Sequence, residues 1–164
     1  MSMNAIDLRL LRRAIDVARR AREHGNHPFG AVLADEQGNL LLEAENTVIT
    51  DNDCTGHAEL NLMRLASRQF SAEALAHSTL FSSTEPCPMC AGAIFWGWVG
   101  RVVYALSEER LYAMTGDSSD KLLLSFRDVF ARGDHEIEII GPALEEEAIK
   151  VHEGFWTDPS DRLW

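Results

Sequence analysis

An α/β sandwich built on a mixed sheet is the fold that this sequence predicts. Two observations carry the prediction. Strand-like and helix-like segments alternate along the chain, which asks for strands paired in parallel through helical crossovers. The first two strand-like runs are instead joined by a short turn, which makes an antiparallel hairpin. Together they give a sheet of both senses with helices packed on it.

The elements follow in order. Ile6, Leu10, Ile15, Val17 and Ala18 recur at roughly helical spacing with arginines between them, so the first segment reads as an amphipathic helix ending near Gly25. His27, Pro28 and Gly30 mark a loop. Ala31–Ala34 and Leu40–Ala44 read as strands joined at Glu36, Gln37 and Gly38. A polar stretch from Asn46 to Gly56 leads to a helix over Ala58–Arg68, with Leu60, Met63 and Leu65 on its packed side. Thr79–Ser83 reads as a strand. Pro86 and Pro88 open a helix through Ala91, Ile94 and Phe95, since proline fits a first turn. Val102–Ala105 is a strand, Ser107–Met114 a helix, and Thr115–Asp120 a turn-rich loop. Ile137–Ile140 is the last strand and Ala143–His152 the last helix. No internal repeat, low-complexity tract or linker divides the chain, so residues 1–164 read as a single domain.

The 164 residues suffice to bury a core without disulfide support. The net charge of -11 and a pI near 4.9 disfavour a polyanionic partner, because nucleic-acid affinity comes largely from lysine and arginine on phosphates. The basic run Arg9, Arg12, Arg13, Arg19, Arg20 and Arg22 is the one candidate patch, and its plainer reading is a solvated helix face. Cys54, Cys87 and Cys90 are an odd count without disulfide-like spacing. The first nine residues lack a signal-peptide pattern, and no apolar run approaches bilayer length. The expectation is a cytoplasmic protein away from membranes.

Two short motifs carry chemistry: His57-Ala58-Glu59 and Pro86-Cys87-Pro88-Met89-Cys90. In each, the candidate ligands stand at the start of a predicted helix. Cys87 and Cys90, three residues apart, can face one way, and the exposed N–H groups there favour thiolate. One imidazole and two thiolates suit a tetrahedral zinc, and three protein ligands leave a fourth position for water. Glu59 lies too near His57 in the chain to share the metal easily, but it can face the water. Zinc brings the pKa of such a water toward roughly 7, and a carboxylate can take its proton and hand it to a leaving amino group. That division of labour is what hydrolysis of an amine on an aromatic ring requires. The alternative is a closed structural site of Cys54, His57, Cys87 and Cys90 in a zinc-stapled binding module. It leaves Glu59 without a task, in a chain large enough to do without a staple.

The paired pattern is the signature of zinc deaminases acting on nucleobases, and at these residues the chain resembles the cytidine deaminase-like superfamily. Within it, the likeness is closest to bacterial guanine deaminases and related purine deaminases. It runs from about Leu10 to Phe130 through His27-Pro28-Phe29-Gly30-Ala31-Val32, Glu45-Asn46, the two motifs above and the run from Ala91 to Trp96. The resemblance implies a three-layer α/β/α sandwich with a central five-stranded sheet. It implies one zinc per chain on His57, Cys87 and Cys90, with Glu59 as proton shuttle. Asn46 resembles the asparagine that contacts the base edge, with a turn former at a strand end as the alternative. Phe29 resembles the aromatic that packs on the base, or is a core residue beside a loop. The backbone N–H of Cys87 would help hold the attacking oxygen. Asp117 is the candidate acid for reading guanine, or part of an ordinary loop. Trp96 lines a pocket floor or, more simply, belongs to the core.

The resemblance also implies a homodimer and a C-terminal tail, about residues 150–164, that closes its own or a partner's site, with docking on its own surface as the alternative. Phe155, Trp156 and Trp164 are the tail's aromatics. Gly56 and Cys54 depart from the alanine and proline of many relatives, and the loop at Asp117 lacks their aromatic-acid-acid pattern. These departures leave the substrate open. A free purine base or nucleoside, guanine first, stands beside transfer-RNA adenosine and cytosine or cytidine as alternatives.

Overall fold

The structure is a computed structural model that describes residues 3–116 and 121–158. Helix α1 (Ala5–Glu23) leads into the hairpin of β1 (Gly30–Ala34) and β2 (Leu40–Glu45). Three helices follow, α2 (Val48–Asp51), α3 (Ala58–Gln69) and α4 (Ala72–Ala76). Then come β3 (Thr79–Thr84), α5 (Pro88–Trp96), β4 (Arg101–Leu106), α6 (Glu108–Thr115), α7 (Phe126–Phe130), β5 (Glu138–Ile140) and α8 (Glu145–His152). The five strands form one sheet in the order β2-β1-β3-β4-β5. β1 is antiparallel to both β2 and β3, whereas β3, β4 and β5 run parallel. The mixed sheet read from the sequence is therefore present.

Period-two alternation assigns the layers. Ala31, Leu33, Leu80, Val102 and Tyr104 share a core with Leu62 and Met63 of α3, Ile94 of α5 and Phe126 of α7. Their neighbours Val32, Phe81, Val103 and Ala105 share another with Leu11, Ala14 and Val17 of α1 and Val151 of α8. Strands covered on both faces read as nearly continuous apolar runs, which is why β1 and β4 were visible as such.

Helix α1 is fixed at its start by a capping box. Asn4 Oδ1 accepts from the Asp7 N–H at 2.9 Å, and Asp7 Oδ2 accepts from the Asn4 N–H at 3.0 Å. Asp7 also pairs with Arg101 at 2.7 Å, which ties α1 to the first residue of β4. Gly30 lets α1 lie against the start of β1, since a Cβ there would overlap backbone atoms of Ala14, Val17 and Ala18.

Several expectations change. The buried stripe of α3 is Ala58, Leu62 and Ala66, four residues apart, with Glu59 and Met63 beside it. Leu65 lies off that stripe and is exposed. Helix α5 starts at Pro88, with Cys87 as its N-cap and Pro86 outside it. Trp96 is 79% exposed, so it does not join the core; it borders a surface groove with Leu60, Arg64 and Ala93. Four of the six arginines of α1 are met by carboxylates, Arg12 by Glu147, Arg13 and Arg20 by Glu43, and Arg19 by Asp16, while Arg9 and Arg22 donate to backbone carbonyls. That is a largely paired helix face rather than a run of six open cations. The short helices α2, α4 and α7 were not expected.

Candidate active site

Beyond Thr84 of β3 the chain turns through Glu85 and Pro86 into α5. Cys87 takes the N-cap with extended backbone, Pro88 occupies the first turn, and Cys90 is fully buried. Helix α3 starts in the same manner, with His57 as an extended N-cap and Glu59 in the first turn, buried. These two helix starts meet. Cys87 Sγ and Cys90 Sγ each lie 3.5 Å from His57 Nδ1. The three ligand atoms all fall within 4.8 Å of one another.

This spacing tests the fit to a metal. A tetrahedral zinc with ordinary Zn–N and Zn–S bonds holds its nitrogen and sulfur donors about 3.6 Å apart, so the observed distances suit it. Among the described residues, His57, Cys87 and Cys90 are the one such group. Cys54 is exposed and stands outside it, so the closed four-ligand site does not form. Three protein donors rather than four is the count of a catalytic zinc site.

The charges agree. The Cys87 thiol is pulled down to about 4, first by its hydrogen bond with Cys90 and then by His57. The same bond, together with burial, pushes Cys90 up. Helix N-termini, which present unpaired N–H groups, favour the resulting negative charge. Burial pushes Glu59 up, against the opposing pull of the Ser82 hydrogen bond and the charge of His57. Ser82 Oγ donates to Glu59 Oε1 at 2.6 Å, and Cys90 Sγ lies 3.5 Å from Oε2. The carboxyl therefore lies beside the ligands without joining them. A carboxyl with raised proton affinity suits a group that must both take and give a proton near neutral pH.

The remaining candidates separate. Asn46 is buried, and its Oδ1 accepts from the Val48 N–H at 3.1 Å, at the opening of α2. Its backbone N–H donates to Phe29 O at 3.1 Å, which brings the two candidate contacts together. Phe29 faces the rings of His152 at 5.3 Å and Trp156 at 6.0 Å. It is thus part of an aromatic cluster that includes the start of the tail. Trp156 Nε1 donates to His152 Nδ1 at 3.2 Å, and Arg22 donates to the carbonyls of Val151 and Glu153. The start of the tail, as far as Trp156, thus packs against α1 and Phe29. Asp117 and Trp164 lie outside the described residues.

Sequence reasoning missed Ser82 and Glu108. Thr84 pairs with Leu106 across the parallel strands β3 and β4, so Glu85 and Glu108 emerge at the same end of the sheet as Cys87. Glu85 Oε2 accepts from the Glu108 N–H at 3.0 Å, and Glu108 Oε1 accepts from the Tyr112 hydroxyl at 2.8 Å. Burial, then the charges of Glu85 and Cys87, push Glu108 up. An acid following a strand was the only available signal for it.

Fold and site place the chain among the zinc-dependent deaminases of nucleobases and nucleosides. Residues 4–106 match the family described as the cytidine and deoxycytidylate deaminase zinc-binding region, and the chain belongs to that family. It is 43% identical over 152 residues to a probable cytosine deaminase of Schizosaccharomyces pombe, covering 92% of each chain. It is 33% identical over 141 residues to a tRNA-specific adenosine deaminase of Haemophilus influenzae, covering 86% of this chain and 78% of that one. Among solved structures it resembles a guanine deaminase from Bacillus subtilis, with a TM-score of 0.61 and 31% identity over 92% of both chains. No helix among the described residues is long and apolar enough to cross a membrane.

Proposed function

We propose that this protein hydrolyses the exocyclic amino group of a free nucleobase, guanine first, giving xanthine and ammonia from guanine and water. The observation that carries the reading is a buried, raised carboxyl, Glu59, set beside three metal-ligand atoms at zinc spacing. His57, Cys87 and Cys90 would hold the zinc, which when bound supplies a Lewis acid that makes water acidic near neutrality. Glu59 accepts a proton from the attacking water. It then donates that proton to the amino nitrogen as the C–N bond breaks. The Cys87 N–H, at a helix start, donates to the oxygen that adds to the ring. Asn46 offers its Nδ2 to an acceptor on the base, and Phe29 offers a ring to its face. Asp117 is the proposed acceptor for a guanine N–H. The tail, about 150–164, serves as a lid on its own or a partner's site, a reading supported by the ring contact of Trp156 with Phe29. The protein works in the cytoplasm as a homodimer, and the exposed Trp96 beside Leu60, Met63 and Ala93 offers an apolar face for association.

Cytosine is the second reading, favoured by the 43% identity to a probable cytosine deaminase over nearly its whole length. Transfer RNA fits less well, because the chain carries a net charge of -11 and four of the six arginines of α1 are paired with carboxylates. The test is ammonia release from guanine, cytosine, adenine, their nucleosides and transfer RNA. Glu59→Ala should retain one zinc per chain and lose about 100- to 10,000-fold in kcat. Ammonia from none of these substrates, or full activity in the variant, would overturn the reading.

A further inference from the structure

The two oxygens of Glu59 stand in different surroundings. Oε1 accepts the Ser82 hydroxyl at 2.6 Å, within a fully buried pair of side chains. Oε2 faces the ligand cluster, 3.5 Å from Cys90 Sγ. Ser82 belongs to β3, where it pairs with Ala31 on one side and Tyr104 on the other. Alternation sends Leu80 and Ser82 to the face that α3 covers. The next residue, Ser83, serves the backbone, accepting from the Gly30 N–H at 3.0 Å. The anchor of Glu59 is therefore a hydroxyl on the rigid centre of the sheet, reached across 23 residues of sequence.

We propose that Ser82 is a positioning residue that fixes which oxygen of Glu59 carries the proton. The inference rests on the role given to Glu59 above. A carboxyl turning freely about its last bond would present either oxygen to the reacting water. With Oε1 held by the Ser82 hydroxyl, both transfers run through Oε2. The proton leaves water for Oε2, and the same proton leaves Oε2 for the departing amino nitrogen. Ser82 neither gains nor loses a proton in the cycle. Its contribution is geometric, and misplacing a reacting group by about 1 Å can cost on the order of 100-fold.

Ser82→Ala should lower kcat about 10- to 100-fold with KM and zinc content unchanged, and Ser82→Thr, which keeps the hydroxyl, should restore most of it. A purely packing role would move thermal stability alone and would not follow the hydroxyl. An unchanged kcat in Ser82→Ala, or a Thr variant as slow as Ala at full zinc content, would overturn the proposal. A thermal double-mutant cycle gives a second reading that needs no turnover. Ser82→Ala should lower Tm in the native background and add no further loss to Glu59→Ala, whereas independent losses would mean that the pair is not coupled. A protein that releases no ammonia from any substrate would end the deaminase reading, while the cycle would still decide whether Ser82 holds Glu59.

Discussion

Helices α1, α4, α6 and α7 begin one way, and α3 and α5 another. Asn4, Ser71, Ser107 and Ser125 each accept a backbone N–H from their own first turn. His57 and Cys87 hold the same N-cap position with similar extended backbone and make no side-chain cap. Thr47 and Leu144 also leave α2 and α8 uncapped by side chains, but no candidate ligand stands there. A good cap is worth about 1 kcal/mol. At α3 and α5 that stabilisation is forgone, and the N-cap positions carry metal ligands instead. Departures from local rules tend to mark function, and here they mark both halves of one site.

The sharpest way to break this contrast is Cys87→Ser. Serine is a better N-cap than cysteine, so the metal-free variant should melt no lower than the metal-free native chain, by calorimetry, with a gain of up to about 1 kcal/mol. It should nonetheless lose stoichiometric zinc by elemental analysis, and turnover with it. A variant that keeps both would mean that Cys87 is an ordinary helix start.

Next in size is a buried group on the scaffold side of the sheet. His152 is held down to about 4 by burial, then by the charge of Arg22, and its Nδ1 accepts from Trp156. Below the ordinary value of 6.5 the unfolded chain takes up a proton that the folded chain refuses until about pH 4. Stability is therefore full above pH 6.5 and falls as the pH drops toward 4, by at most roughly 3 kcal/mol. Melting curves of His152→Gln across this range should be flatter than those of the native chain.

Asn4→Ala tests a helix start that serves the fold alone. It should cost about 1 kcal/mol by denaturant titration and leave zinc content and kcat untouched. Smallest of all is Cys54→Ser, since Cys54 is exposed and outside the ligand cluster. Metal content and melting temperature should match the native chain, and loss of zinc would bring the four-ligand site back.

The metal half of the site was legible because its residues are nearly contiguous. His57 with Glu59, and Cys87 with Cys90, need only a helix start to converge. Ser82 was not legible, since a serine in a strand reads as a polar position, and its bond to Glu59 depends on how α3 lies over β3. The same holds for Phe29, whose neighbours His152 and Trp156 arrive only when α8 packs beside α1. The alternation of strands and helices was plain from composition and period. Helices α2, α4 and α7, of four or five residues, are too short to show a period. Trp96 misled because an aromatic residue continuing an apolar helical run ordinarily faces inward, whereas Trp96 is the last residue of α5 and the inward stripe is Cys90, Ala91 and Ile94.

His57 and Cys87 stand 30 positions apart along the chain. A cation gripped by both would act as a cross-link, and closing a loop of that size removes roughly 3–4 kcal/mol of disorder from the denatured ensemble. Strand β3 lies inside the loop, and in the middle of the sheet. Chelation would therefore speed amide exchange first in the centre of the molecule, where proteins usually hold their protons longest.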